Sequence, residues 1–138
     1  MEVSNPTVAQ RVARAAIAFE QERTGHAPAS IAVVLSEDTL VITLHGALSP
    51  AEMALARRPE GAAQMQELHR QLFANASDSL RREIKRIVGV DVREATAELE
   101  APTGAVVGVF TGGTTVQVFL LAHSVPTDAW SGTGDGHQ

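Results

Sequence analysis

The chain has 138 residues, a formal net charge of −5 at pH 7 and no cysteine, which excludes disulfides and thiolate metal sites. Apolar residues make up 44% of it and charged residues 20%, as in ordinary globular domains, and this length can bury a core. The acidic balance and the lack of tyrosine argue against nucleic-acid binding, which needs a basic face. We find neither a signal peptide nor an apolar run near the roughly 18–20 residues that span a bilayer, so we expect a cytoplasmic protein.

The first predicted elements are a helix and a β-hairpin. Apolar side chains recur at helical spacing over residues 6–23, and Gly25 then ends the pattern. The β-branched segments 31–35 and 40–44 flank a polar turn and predict two antiparallel strands. One face of the second strand should pack on the first helix, and its side chains are Leu40, Ile42 and Leu44.

Two further helices are predicted from a capping box and a long apolar stripe. The string Ser49-Pro50-Ala51-Glu52 can cap its own first turn, which predicts a short helix to about Arg57. Residues 60–88 predict one long helix, which Gly89 closes. Its apolar side chains step by three or four positions: Met65, Leu68, Leu72, Ala76, Leu80, Ile84 and Ile87.

Three more strands are predicted over residues 90–99, 105–110 and 116–122, and the polar segment 124–138 predicts a disordered tail. We expect one domain over residues 1–123, with the order α, β, β, α, β, β, β. Helices on one face of a mostly antiparallel sheet form a two-layer α+β sandwich, with the long helix packed on the sheet. Two sheet edges and a long apolar helix favour a homodimer.

Four segments follow one another along the chain: G-x-x-P-x-S at Gly25 to Ser30, G-x-L-S-P-A-E within Leu44 to Glu52, R-P-E-G at Arg58 to Gly61, and the long helix with its glycine, Leu68 to Val90. Together they resemble the sequence elements of the MpsC family of small bacterial proteins. The resemblance covers about residues 7–111 and ends before the last predicted strand. An aspartate of the family's third strand has no clear counterpart here, where Glu98 and Glu100 lie nearby.

The resemblance implies an accessory protein of a sodium-translocating, membrane-potential-generating system linked to cation or inorganic-carbon transport. It implies a soluble cytoplasmic protein, not a transporter in itself. The family has no established catalytic residues, so the resemblance assigns none to this chain.

Candidate ligand-binding residues gather where the second strand meets the short helix: His45, Gly46, Ser49, Glu52 and Arg58. His45 stands at a strand end beside a helix start, a place where small anions bind, although an exposed strand end explains it equally simply. Glu52 can serve as an acid, a base or a ligand, but the capping box alone also accounts for it.

A candidate dimer or partner face runs along the long helix through Leu68, Leu72, Leu80 and Ile84. The histidines His26, His45, His69 and His123 lack the spacing of a helical metal site, so we expect neither a metal nor a cofactor.

Three function classes remain open from the sequence. The first is a non-enzymatic accessory or regulatory protein that binds a membrane-transport protein or a small anion. The second is a small-molecule sensor, and the third is a small dimeric enzyme with an apolar cavity between sheet and helices. The small number of acid–base side chains favours the first.

Overall fold

Three helices and four strands make up the part of the chain that the structure, a computed structural model, describes: residues 6–100, 113–125 and Trp130. The helices are α1 (Val8–Thr24), α2 (Pro50–Ala56) and α3 (Pro59–Val88). The strands are β1 (Ser30–Ser36), β2 (Thr39–His45), β3 (Val92–Glu100) and β4 (Thr114–Leu121). The strand predicted over residues 105–110 lies outside the described residues.

Capping side chains decide where α1 and α2 begin. The Thr7 hydroxyl accepts from the Gln10 amide and the Gln10 side chain accepts from the Thr7 amide, so α1 starts two residues later than predicted. Ser49 and Glu52 form the same reciprocal pair at the start of α2, as the sequence predicts. Gly25, with φ of 79°, ends α1 in the left-handed conformation that favours glycine.

The sheet has the order β1-β2-β4-β3, and every neighbouring pair among these four strands is antiparallel. β4 is last in sequence but lies in the centre, between the hairpin and β3. Both long helices pack against one face of this sheet, which confirms the predicted two-layer α+β fold with the long helix on an antiparallel sheet.

The core forms between α1, α3 and the apolar face of the sheet. Leu40, Ile42 and Leu44 are fully buried and share one cluster with α1 side chains, which confirms the predicted face of β2. At its centre the Phe73 ring meets Phe19 edge-on at 6.0 Å between centroids and Phe119 at 6.1 Å. Such aromatic contacts add to the stabilisation from apolar burial.

The middle of α3 buries a different face from the predicted stripe. Side chains one position further along the chain are buried there: His69, Phe73 and Ser77. The predicted ones are exposed or half-buried: Leu68, Leu72 and Ala76. One residue is a turn of about 100° around a helix, so the buried face is rotated by that step. Phe73 gains aromatic partners in this orientation, and His69 gains a hydrogen-bonding partner in Glu52.

Two positions of the predicted tail pack on the domain. Val125 is buried with Val90 and Leu121, and Trp130 packs against the main core. The other tail residues that the structure describes are few, so the boundary at residue 123 stays a prediction.

Candidate functional site

A tight junction joins β2 to α2 at Gly46. Its φ is 65°, and a Cβ at this position would lie 2.7 Å from the Cβ of Ala29. Its carbonyl oxygen lies 3.1 Å from His26 Nε2, and the Ala29 amide donates to the His45 carbonyl at 2.8 Å. Only glycine fits here without displacing Ala29, so the glycine of the family-like string has a structural reason.

Glu52 uses its two carboxylate oxygens for two different helices. Oε1 accepts from the Ser49 amide at 2.9 Å and so completes the capping box of α2. Oε2 lies 3.1 Å from Nε2 of His69, which is buried in the middle of α3. The carboxylate therefore connects the start of α2 to α3.

The environment of Glu52 favours its charged form. Burial alone would raise the pKa of Glu52, but the hydrogen bond from the Ser49 amide and the contact with His69 outweigh it. The pKa consequently lies below its ordinary value. At neutral pH this side chain is an ionised hydrogen-bond acceptor.

An open groove of about 520 Å³ runs beside the junction. Its lining is mostly apolar and includes Ala29, Gly46, Leu48, Pro50 and Met53, with His26 and Arg57 as the polar side chains. A largely apolar concave surface with a few polar groups is typical of binding sites.

The outer surface of α2 extends this groove with exposed apolar side chains. Leu55 is 56% exposed, and Pro50, Ala51 and Ala54 are exposed as well. Arg57 and Arg58 follow directly, both exposed, and within the described ranges neither has an ion pair or a side-chain hydrogen bond. An apolar helix surface therefore ends in two exposed, uncompensated positive charges.

The predicted ligand residues lie close together but do not all face the groove. Gly46 lines it, whereas Ser49 and Glu52 are engaged in the capping box. His45 ends β2, with Nδ1 3.5 Å from the Thr114 hydroxyl. Arg58 is the N-cap of α3, and it is the neighbouring arginine that lines the groove.

The predicted partner face of α3 is divided by the fold. Leu80 and Ile84 are fully buried in the core, so they are not available at the surface. Leu68 is 42% exposed and Leu72 is half-buried. Of the four side chains predicted to contact a partner, Leu68 and Leu72 are therefore the two that another chain can reach.

Sequence reasoning missed His69, His26 and Arg57 as neighbours of the junction. Their contacts join residues that are far apart along the chain, and local spacing does not show such contacts. Within the described ranges, no three His, Asp or Glu side chains come together in a way that could hold a metal ion.

Comparison with known proteins decides the family. The model of the family described as Na+-translocating membrane potential-generating system (MpsC) matches residues 5–112. This chain belongs to the MpsC family. It is also similar to "Uncharacterized protein YbcI" of Bacillus subtilis (strain 168), with 24% identity over 110 residues that cover 80% of this chain and 89% of YbcI. No solved structure gives a significant match.

The resemblance inferred from the four segments is thereby confirmed, and the match ends before β4, one of the two inner strands of the sheet. None of the described helices of this MpsC-family chain is long and apolar enough to cross a membrane.

Proposed function

We propose that this MpsC-family protein is a non-catalytic accessory protein of a sodium-translocating system, and that it binds a segment of a partner protein at α2 and the adjoining groove. The single observation that carries the proposal is the surface of α2, which is apolar, exposed and followed by two arginines without ion pairs. The family description supplies the transport context. The expected location is the cytoplasm, on the inner side of the membrane that holds the partner.

The chemistry of this surface defines the partner segment. Contiguous exposed apolar surface rimmed by polar groups is typical of protein-interaction sites. The partner should present apolar side chains to Leu55 and Met53 and a carboxylate to Arg57, because arginine pairs well with carboxylates. Charge complementarity of this kind would add specificity and speed association.

A free small anion at the start of α2 is the less favoured variant of this proposal. The Ser49 amide already donates to the carboxylate of Glu52, and the Glu52 amide donates to the Ser49 hydroxyl. An incoming anion would meet that negative charge. The positive charges of Arg57 and Arg58 offer the better place for an anionic group.

Site-specific photocrosslinking in the cell tests the partner surface. A photoreactive amino acid at position 55 should crosslink to a membrane protein of the transport system, and Arg57→Glu in the same chain should reduce the product. The control position is Val34, which is 57% exposed on β1. The same products from both positions, or none from position 55, would reject α2 as the partner surface.

A transport measurement tests the role itself. In a strain that lacks the protein, sodium-dependent membrane potential should fall and should return with the parent gene. The double substitution Leu55→Asp and Arg57→Glu should restore little, whereas Val34→Asp should restore it fully. Full potential in the deletion strain would contradict the accessory role.

We also propose a homodimer through the exposed leucines of α3. Analytical sedimentation or native mass spectrometry of the parent should show a dimer, and Leu68→Asp should convert it to a folded monomer. Gln64→Asp, at an exposed position one turn earlier, is the matched control. A monomeric parent protein would remove the dimer proposal and leave the partner surface on α2 untouched.

A further inference from the structure

A group of polar side chains is buried between α1, α3 and β4. Glu20, Thr115 and Gln117 are 2%, 3% and 0% exposed, and the Arg23 side chain is 6% exposed. Arg23 Nη2 donates to Glu20 Oε2, and Gln117 Nε2 donates to the same oxygen at 3.2 Å. Arg23 also lies over the Phe19 ring at 5.0 Å. The cluster is thus held together by contacts between side chains of α1 and β4.

Several polar atoms of this cluster have no hydrogen-bonding partner among the described residues: Arg23 Nε and Nη1, His69 Nδ1, Thr115 Oγ1 and Gln117 Oε1. Leaving a buried donor or acceptor unsatisfied destabilises the fold, and more so for a charged group. A cluster of such atoms in one place is where a water or a small ligand would be satisfied by hydrogen bonds.

A small chamber of about 10 Å³ lies at these atoms. Arg23, His69 and Thr115 line it on the inside, with Ala97 and Leu99 as apolar walls. Its volume is close to the minimum of about 10–15 Å³ that one water needs. The chamber as it stands therefore admits only a very small guest.

An ion pair on the surface closes the chamber. Its remaining lining residues are Arg70 and Glu98, which are 48% and 64% exposed. Arg70 donates from Nη2 to Glu98 Oε1 at 3.1 Å and from Nε to Glu98 Oε2 at 3.4 Å. Exposed ion pairs contribute little to stability, so this closure opens at small cost.

We propose that the chamber is a binding site for a small carboxylate, and that the carboxylate of Glu98 occupies the ligand's place on Arg70 when the site is empty. When Glu98 turns into solvent, the ligand accepts from Arg70 at the entrance and reaches toward Arg23 and Thr115 inside. Guanidinium groups match the planar, two-oxygen geometry of a carboxylate. The ligand satisfies buried donors that otherwise have no partner.

The chemistry of the lining sets the class and size of this ligand. Arg23 is paired with Glu20, and Arg70 with Glu98 and Glu67, so the net charge of the lining does not select the ligand. The free N–H groups of Arg23 favour a ligand with acceptor oxygens, and the small volume between Ala97 and Leu99 restricts it to the shortest chains. This site shares no residue with the groove beside α2, so its test is independent of the proposed partner binding.

Calorimetric titration of the full chain with formate, acetate and butyrate tests the site. Formate should bind, acetate should bind equally or more weakly, and butyrate should not bind. Chloride at equal ionic strength is the control for unspecific charge effects. Absence of formate binding would mean that the chamber holds only water and would overturn the proposal, as would equal binding of all three acids.

Two substitutions locate the binding. Glu98→Gln removes the competing charge at an exposed position and should tighten formate binding by about two- to fivefold. Glu94→Gln removes the same charge from another exposed position of β3 and should leave the affinity unchanged. Thr115→Val keeps the side-chain shape but loses the hydroxyl, and it should weaken binding by about fivefold or more. Equal effects of Glu98→Gln and Glu94→Gln would overturn the proposal.

Discussion

At the scale of single residues, Glu52 shows how one side chain can serve two structural purposes. It caps α2 through Ser49, and its second carboxylate oxygen lies 3.1 Å from Nε2 of the buried His69. A buried imidazole without a partner would be costly, and a helix start without a cap loses about 0.5–2 kcal/mol. The Glu52 carboxylate therefore stabilises both the start of α2 and the contact of α2 with α3.

The lowered pKa of Glu52 predicts a pH-dependent loss of stability. Because this pKa is lower in the folded than in the unfolded chain, the charged carboxylate stabilises the fold above the unfolded-state pKa, and this contribution disappears as the pH falls through the folded-state pKa. Glu52→Gln should therefore lower the free energy of unfolding at pH 7, and its difference from the parent should shrink toward about pH 3. Urea unfolding at both pH values measures this.

The control for that experiment is Glu60→Gln, which removes an exposed carboxylate in the first turn of α3. A difference between parent and Glu52→Gln that stays the same at both pH values would contradict the linkage.

Gly61 permits the close approach of α2 and α3. A Cβ at this position would lie 1.9 Å from the carbonyl oxygen of Leu55, so Gly61→Ala must displace α2. We expect a loss of about 1–3 kcal/mol in unfolding free energy, the usual cost of overpacking. Urea unfolding measures this loss, with Ala63→Ser at an exposed position of the same helix as the control. Equal losses in the two variants would show that α2 moves away from the added Cβ without cost.

At the scale of elements, α3 buries side chains that hydrophobicity alone does not select. Its middle turns place Phe73 inside and Leu68 outside, because the aromatic cluster and the His69–Glu52 contact both require that orientation. Apolar content alone would favour burying Leu68, Leu72 and Ala76 instead of His69, Phe73 and Ser77. The neighbouring elements decide between them.

Two alanine substitutions distinguish the faces of α3. Phe73→Ala should cost about 3–5 kcal/mol, because it removes a buried ring from the core. Leu68→Ala should change the unfolding free energy of the monomer by no more than about 0.5 kcal/mol. Urea unfolding at low protein concentration, where a dimer would dissociate, measures both. Comparable losses for the two variants would support the leucine stripe as the buried face.

Local patterns in the sequence predict most of the described helices and strands. The capping box, the hairpin and the alternating face of β2 depend on contacts between residues a few positions apart or on simple periodicity. The buried cluster depends on pairs such as Glu20 with Gln117, which are 97 positions apart, and neither residue has a local signal of burial. The orientation of α3 was mispredicted for the same reason.

At the scale of the whole molecule, two side chains beyond the predicted domain boundary at residue 123 pack on the core clusters, Val125 and Trp130. Gly, Ser and Pro dominate the end of the chain, yet Trp130 packs against the main core. A single large side chain can anchor a polar segment, because its apolar area is comparable to that of several smaller residues.

Trp130 should therefore contribute to stability. Trp130→Ala should lower the free energy of unfolding by about 1–3 kcal/mol, below the range for a fully buried aromatic residue because this one is only half-buried. Thermal and urea unfolding measure this, and a neutral Trp130→Ala would contradict the anchoring contact.

The central position of β4 has a consequence for how the protein is made. The β1–β2 hairpin leaves the ribosome long before Thr114 to Leu121, so the inner edge of β2 cannot pair with β4 until β4 has been synthesised. Pairings between distant segments slow folding, and an open strand edge invites association with other chains. Nascent and truncated chains that lack β4 should therefore be the forms most in need of chaperones.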